Sequence, residues 1–100
     1  MDSALPTIQH WINGAPTAET PARTAPVFNP ALGVATKRVA LAEQAEIDAA
    51  VAAAKAAFPG WSNASVAKRQ SVLFRFRELL NERKLELAQI ITSEHGKVVS

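Results

Sequence analysis

The sequence contains no cysteine among its 100 residues. A chain without cysteine can form no disulfide, offers no thiolate nucleophile and cannot bind a metal through sulfur. It also lacks any apolar run of about 18 residues, the length needed to span a bilayer, and any block of like charges. Neither a membrane nor a nucleic acid is therefore expected as a partner, and cysteine chemistry is excluded within these residues.

Signals for export are also missing from the first 20 residues. Asp2 stands near the start, no apolar stretch has signal-peptide length, and the first arginine is Arg23, which does not fit an arginine-rich transit peptide. We therefore expect a cytoplasmic protein. The chain is 48% hydrophobic and 20% charged with a net charge of +2, which is typical of a globular chain and of a piece of a larger one.

Strands and turns are predicted for the first part of the chain, about 8–41, where most prolines lie. Asn13 and Gly14 suit a type I′ turn and predict a short hairpin. A second turn is predicted at 29–33, where Pro30 fixes φ and Gly33 can supply a positive φ. The segments on either side, 27–28 and 34–41, are expected to form strands of an edge or peripheral sheet.

A helix is predicted over 43–58, where apolar residues recur at helical spacing in an alanine-rich segment. No Ser, Thr, Asp or Asn caps its start, but acidic residues complement the helix dipole there, and Pro59-Gly60 is expected to end it. The acidic residues are Glu43, Glu46 and Asp48, and the apolar ones are Ile47, Val51, Ala54 and Phe58.

A second helical region is predicted over about 65–95, starting after Ser65 and stopping at Gly96, with His95 in its last turn. A break is expected within 81–84. One side of this region is apolar and carries Leu73, Phe76, Leu80, Leu87 and Ile91.

The basic residues of this region could follow a phosphate backbone, but a solvated helix face or a subunit contact is the favoured interpretation. The reason is that Glu78, Glu82 and Glu86 are interleaved with them and no aromatic stacking platform accompanies them. The basic residues are Lys68, Arg69, Arg75, Arg77, Arg83 and Lys84.

No other residue set predicts an active site. Trp11 and Trp61 flank turns and are expected to anchor loops. His10 and His95 lack the spacing and the companions of a metal site, and His95 suits a helix end. The turn 29–33 matches no phosphate-binding loop, and no histidine–acid pair accompanies Ser62, Ser65, Ser71 or Ser93.

The order of short motifs is nevertheless distinctive: HWING at 10–14, PVFNP at 26–30, DAAV at 48–51, AF at 57–58, Trp61 and EHGK at 94–97. Together they resemble the opening of the aldehyde dehydrogenase superfamily. Within the superfamily, the coenzyme A-acylating methylmalonate-semialdehyde dehydrogenases are most similar in four sequence segments: HWING, RTAPVFNP, LFRFRELL and TSEHGK. The resemblance implies an α/β fold in which residues 1–100 supply the peripheral strands and first helices of the NAD-binding domain.

The resemblance also implies a mechanism in which a cysteine attacks the semialdehyde, an oxyanion hole stabilises the adduct, hydride passes to NAD and coenzyme A takes the acyl group. Loss of CO2 would then give propionyl-CoA or acetyl-CoA, in valine or myo-inositol catabolism, by a dimeric or tetrameric enzyme. The family's catalytic and cofactor-binding residues lie beyond Ser100, so no catalytic, cofactor-binding or metal-binding residue is assigned here. Two alternatives stay open: a hydrolytic aldehyde dehydrogenase, and a small helical binding module without enzymatic activity.

Overall fold

The computed structural model describes residues 5–99 and combines strands with helices. The export prediction rests partly on residues 1–4, including Asp2, which lie outside this range. Five strands precede three helices in the chain: β1 Thr7–Ile8, β2 Trp11–Ile12, β3 Ala15–Pro16, β4 Arg23–Asn29, β5 Val34–Leu41, α1 Gln44–Ser62, α2 Val66–Glu82 and α3 Lys84–His95. The predicted order of strands followed by helices is confirmed.

The first hairpin forms where Asn13-Gly14 predicted it. Strands β2 and β3 pair in antiparallel fashion around this turn, with φ of 56° at Asn13 and 82° at Gly14. Two consecutive positive φ values are the signature of a type I′ turn, and asparagine followed by glycine tolerates them best.

A three-stranded sheet in the order β1-β5-β4 forms the other β structure. Strands β4 and β5 lie on either side of the turn at 29–33 as predicted, but β4 starts at Arg23 and is longer than the predicted 27–28. The two strands pair in antiparallel fashion, with a bulge that leaves Thr36 without a partner in the ladder. Strand β1 pairs in parallel with β5, placing Thr7 opposite Arg38. This parallel pairing was not predicted, because a two-residue strand carries no measurable period.

The first helix extends further than predicted. Proline at position 59 does not end α1, which runs from Gln44 to Ser62, so the prediction of a stop at Pro59-Gly60 is wrong. Pro59 removes the hydrogen bond that its own N–H would donate and crowds the carbonyl one turn earlier, but it leaves its own carbonyl free to accept. The chain stays helical because the N–H of Asn63 still donates to the Pro59 carbonyl at 3.1 Å.

The second helical region is divided as predicted. The Ser65 hydroxyl caps α2 by accepting from the Lys68 N–H at 3.1 Å. Arg83 separates α2 from α3, which confirms the break within 81–84. Helix α3 ends at Gly96, whose φ of 84° lies in the left-handed region.

These elements enclose almost no core. Ala40 is the buried hydrophobic residue of the described chain, at 6% exposure, and none of the three helices contains a buried residue. The Cα radius of gyration is 17.3 Å and the shortest dimension is 16 Å, whereas a compact chain of this length has a radius near ~13 Å. The fold is therefore an open slab with its apolar helix faces exposed.

Candidate functional site

A groove of about 580 Å³ lies between the β2–β3 hairpin, the segment 17–22 and the start of α1. It is a candidate binding site because it brings a histidine near three acidic side chains. The lining residues are Gln9, His10, Ile12, Thr17, Ala18, Glu19, Thr20, Pro21, Ala22, Glu43, Ala45, Glu46 and Ala49.

Two of the acidic groups in this groove already have structural partners. Arg23 Nε donates to Glu43 Oε1 at 2.6 Å, and Arg23 Nη2 donates to the Ala42 carbonyl at 2.9 Å. The hydrogen bond to Glu43, followed by its negative charge, raises the pKa of the Arg23 guanidinium. Glu46 Oε1 accepts from the backbone N–H of Glu43 at 3.3 Å and so satisfies one free donor at the start of α1. These contacts fix the entry into α1 and leave no matched acid–base pair.

Within residues 5–99, neither histidine lies in a group of three His, Asp or Glu residues that could hold a metal ion. His10 Nε2 is enclosed and has no hydrogen-bond partner in the described part of the chain, while the His10 carbonyl accepts from the Thr17 N–H at 2.8 Å. His95 is exposed in the last turn of α3, at the helix end where the sequence placed it.

Each of the four serines considered from the sequence bonds to nearby backbone. Ser65 caps α2. The hydroxyls of the other three donate to carbonyls of their own helices: Ser62 to Pro59 at 3.3 Å, Ser71 to Ala67 at 3.0 Å and Ser93 to Ile90 at 2.7 Å. Local bonds of this kind are the ordinary state of a serine in a helix, and none of the four contacts a histidine.

The basic residues on α2 and its end do not form one continuous phosphate track. Arg75 Nη1 lies 3.0 Å from Glu78 and 3.9 Å from Glu82, so the interleaved acidic residues partly neutralise this surface, as the solvated-face interpretation requires. Arg69 is different, because its Nε is enclosed and has no hydrogen-bond partner among the described residues.

The tryptophans do not anchor loops in the described part of the chain. Trp11 is 72% exposed and Trp61 is 45% exposed, so that prediction is wrong for residues 5–99. Trp61 also lies within α1 rather than in a loop. Trp11 has little surface to pack against, whereas Trp61 lines a groove with Val66 and Leu73.

The described residues do not provide a dinucleotide site. In the turn 29–33, the N–H groups of Leu32 and Gly33 donate to the Asn29 carbonyl at 3.1 and 2.8 Å, and the Ala31 N–H donates to Asn29 Oδ1 at 3.0 Å. These donors are consumed within the turn and cannot cradle a phosphate. The chain's four glycines never form a GxGxxG sequence. This turn therefore offers no phosphate-binding loop, and the absence of assigned site residues stays a prediction.

Residues 17–100 match the profile of the aldehyde dehydrogenase family. The chain belongs to this family. It is 43% identical over 93 residues to a malonate-semialdehyde dehydrogenase of Pseudomonas aeruginosa, covering 93% of the chain and 18% of that protein. It is 39% identical over 98 residues to the human mitochondrial acylating methylmalonate-semialdehyde/malonate-semialdehyde dehydrogenase, covering 98% of the chain and 18% of that protein.

Solved structures give the same result. A Sinorhizobium meliloti protein assigned as a methylmalonate-semialdehyde dehydrogenase, in complex with NAD, matches with a TM-score of 0.91 and 40% identity, covering 97% of this chain and 20% of that one. A cysteine-to-alanine variant of aldehyde dehydrogenase C from Pseudomonas syringae, bound to NAD+ and octanal, matches with a TM-score of 0.86 and 42% identity, covering 92% and 19%. The resemblance read from the sequence is confirmed, and the chain spans about a fifth of these relatives.

None of the helices in residues 5–99 is both long enough and apolar enough to cross a membrane.

Proposed function

We propose that this chain is the amino-terminal segment of an NAD-dependent, coenzyme A-acylating dehydrogenase of malonate semialdehyde or methylmalonate semialdehyde. The observation that carries the proposal is the 43% identity to the Pseudomonas aeruginosa malonate-semialdehyde dehydrogenase over 93% of the chain. The human acylating relative and the NAD-bound Sinorhizobium meliloti structure support it at similar identity.

The proposed reaction balances without any further reactant. Malonate semialdehyde, coenzyme A and NAD+ give acetyl-CoA, CO2 and NADH; the methylmalonate substrate gives propionyl-CoA in the same way. The aldehyde carbon loses a hydride to NAD+ and gains the sulfur of coenzyme A, while the carboxylate leaves as CO2 and a proton takes its place. The proposed setting is valine or myo-inositol catabolism.

The role of the present residues in this enzyme is structural. They include no cysteine, and the turn at 29–33 uses its own backbone donors. What they provide is an ordered start of the domain: a small sheet tied to the end of α3 by Lys37 and Glu94, followed by helices with apolar faces available for packing. We assign residues 1–100 to the NAD-binding domain of a cytoplasmic dimer or tetramer.

The proposal is tested by the full-length polypeptide with purified malonate semialdehyde. We expect NADH formation over many turnovers only when coenzyme A is present, with acetyl-CoA and CO2 as products identified by mass spectrometry. Multiple-turnover NADH formation at an equal rate without coenzyme A would reject the acylating assignment.

A second candidate is a hydrolytic aldehyde dehydrogenase. The observation that favours it is the 42% identity to the octanal-bound aldehyde dehydrogenase C of Pseudomonas syringae, which lies between the 39% and 43% found for the semialdehyde enzymes. The discriminating measurement uses octanal without coenzyme A. Sustained oxidation of octanal to octanoate would select this candidate. Family membership argues against the free-standing helical module.

A further inference from the structure

An arginine interrupts the apolar stripe of α2. The stripe consists of Val66, Leu73, Phe76 and Leu80, which are exposed by 72%, 60%, 58% and 42%. Arg69 lies three residues after Val66 and four before Leu73, and these spacings place it on the same side of the helix. Of the other arginines of α2, Arg75 lies on the opposite side of the helix, whereas Arg77, four residues after Leu73 and three before Leu80, lies at the edge of the stripe.

Arg69 is half-buried, and one nitrogen of its side chain has lost water without gaining a hydrogen-bond partner among residues 5–99. The enclosed atom is Nε, which donates no hydrogen bond to any acceptor among residues 5–99. A charged donor withdrawn from water without an acceptor is strongly unfavourable. The open groove beside it is lined by Trp61, Val66, Gln70 and Leu73, so the stripe and the groove together form one incomplete surface around Arg69.

The size of the exposed area is large enough to accommodate a covering partner. The chain exposes 7943 Å², whereas a compact protein of its mass exposes about 5,500 Å². The excess is comparable to a substantial protein interface. Because the chain spans 18% of the Pseudomonas aeruginosa relative, the polypeptide that follows in such proteins is long enough to cover it.

We propose that the α2 stripe packs against a later segment of the same polypeptide, beyond residue 100, and that this segment places a carboxylate against Arg69. This inference rests on the proposed function in one respect: it requires that residues 1–100 belong to a longer polypeptide. A carboxylate is chosen because it accepts the guanidinium fork in two parallel hydrogen bonds and neutralises its charge on burial.

A second copy of this chain is a poorer occupant. The stripe carries Arg69 and no acidic residue, since Glu78 and Glu82 face Arg75 on another side of α2. A two-fold contact between two stripes would bring two arginines towards each other and leave both without an acceptor. Charge complementarity therefore favours a different surface over a copy of the same one.

The first test measures coverage of Arg69 in the full-length protein by phenylglyoxal modification and peptide mass spectrometry. Arg75 is the matched control, because it lies on the opposite side of the same helix and its side chain is 61% exposed. We expect Arg69 to react at least about tenfold more slowly than Arg75, with no dependence on protein concentration. Equal rates would overturn the proposal, and protection that is lost on dilution would assign the surface to a second copy.

The second test identifies the charge of the partner. Arg69→Met leaves the opposing carboxylate buried without a cation, so its pKa rises, whereas in the wild type the pairing lowers it. The stability deficit of Arg69→Met, measured as the shift of the urea midpoint, should therefore be large near about pH 7 and shrink towards about pH 5, where the unpaired carboxylate takes up a proton. Arg69→Lys should retain part of the stability, and Arg75→Met, which removes only exposed ion pairs on the opposite side of α2, should show only a small deficit.

A deficit of Arg69→Met that is equal at both pH values would show packing alone and overturn the carboxylate. Stability and labelling are read without any substrate. An enzyme that fails to acylate coenzyme A yet shows a covered Arg69 would therefore reject the proposed function and leave this inference standing.

Discussion

Lys37 and Glu94 are 57 positions apart in the sequence, and their side chains meet, with Nζ 3.0 Å from Oε2. The pair ties β5 to the last turn of α3, on the side of the sheet where α3 contacts β4. It is one of the few tertiary links between the helices and the sheet, and it joins the EHGK motif to the strand that follows the PVFNP motif.

The first prediction concerns this ion pair. The side chains are 28% and 39% exposed, so solvent screens the attraction and its loss should cost only about 0.5–1 kcal/mol. Glu94→Gln is expected to speed amide hydrogen exchange in the last turn of α3, in the full-length protein. Glu86→Gln, in the first turn of α3, is the control and should leave that turn unchanged. Equal exchange in both variants would show that the ion pair has no stabilising role.

A second prediction follows from the contact of Gly96 with Pro30. A Cβ built on Gly96 would lie 3.3 Å from Pro30 Cγ, and the φ of Gly96 is 84°. Gly96→Ala should cost about 1–2 kcal/mol for the left-handed backbone and more for the contact. Gly14→Ala is the matched control, because its φ is 82° and no atom lies within 4 Å of its built Cβ.

The two contributions can be separated by unfolding experiments on the full-length protein. If the contact matters, Gly96→Ala should be more destabilising than Gly14→Ala, and Pro30→Ala should remove the difference in a double-mutant cycle. Additive effects of Gly96→Ala and Pro30→Ala would show that only the backbone conformation counts.

The third prediction concerns the cap of α2. Ser65→Ala removes the acceptor for the Lys68 N–H and should reduce helix stability by about 0.5–1 kcal/mol. A peptide covering 62–83 is a suitable host, because α2 buries no residue in the described structure. Circular dichroism should show a loss of helix for Ser65→Ala but not for Ser71→Ala, whose hydroxyl bonds only within the helix. Equal helicity of the two variants would contradict the cap.

The fourth prediction is an absence of pH dependence at Arg23. The carboxylate of Glu43 raises the pKa of this guanidinium. A raised folded-state pKa gives a stabilisation that is fully present below the unfolded value and lost only as the pH rises through the folded value. Because arginine titrates far above neutrality, the effect of Arg23→Gln on amide exchange at the start of α1 should be the same at about pH 6 and at about pH 9. A change within this interval would contradict the assignment of the effect to Arg23.

Local chemistry explains which parts of the fold were predictable. Some features depend only on the backbone conformation or hydrogen bonding of a few neighbouring residues. The type I′ turn at Asn13-Gly14, the start of α2 at Ser65 and the end of α3 at Gly96 could therefore be predicted from the sequence. The continuation of α1 through Pro59 could not be predicted in this way, because a proline lowers the stability of a helix without always ending it.

Nonlocal contacts explain the rest. The parallel pairing of Thr7 with Arg38 and the ion pair of Arg23 with Glu43 depend on segments that meet only after folding. The enclosure of Arg69 could have been suspected from its place within the apolar stripe, since a charge at that position requires a partner. The family's own ordered motifs, in contrast, were sufficient for the family assignment.

The last prediction concerns the isolated 100-residue chain. Its radius of gyration in the structure is 17.3 Å, and large hydrophobic residues such as Phe58, Phe74 and Ile91 are 65%, 53% and 53% exposed. A chain with one buried hydrophobic side chain cannot offset the conformational entropy of folding, which is about 1–2 kcal/mol per residue for the backbone. We therefore expect small-angle scattering to give a radius of at least the structural value, with strong binding of a hydrophobic dye. A compact radius near ~13 Å, with a cooperative unfolding transition and no dye binding, would show that these residues form a domain by themselves and would remove the need for a covering segment.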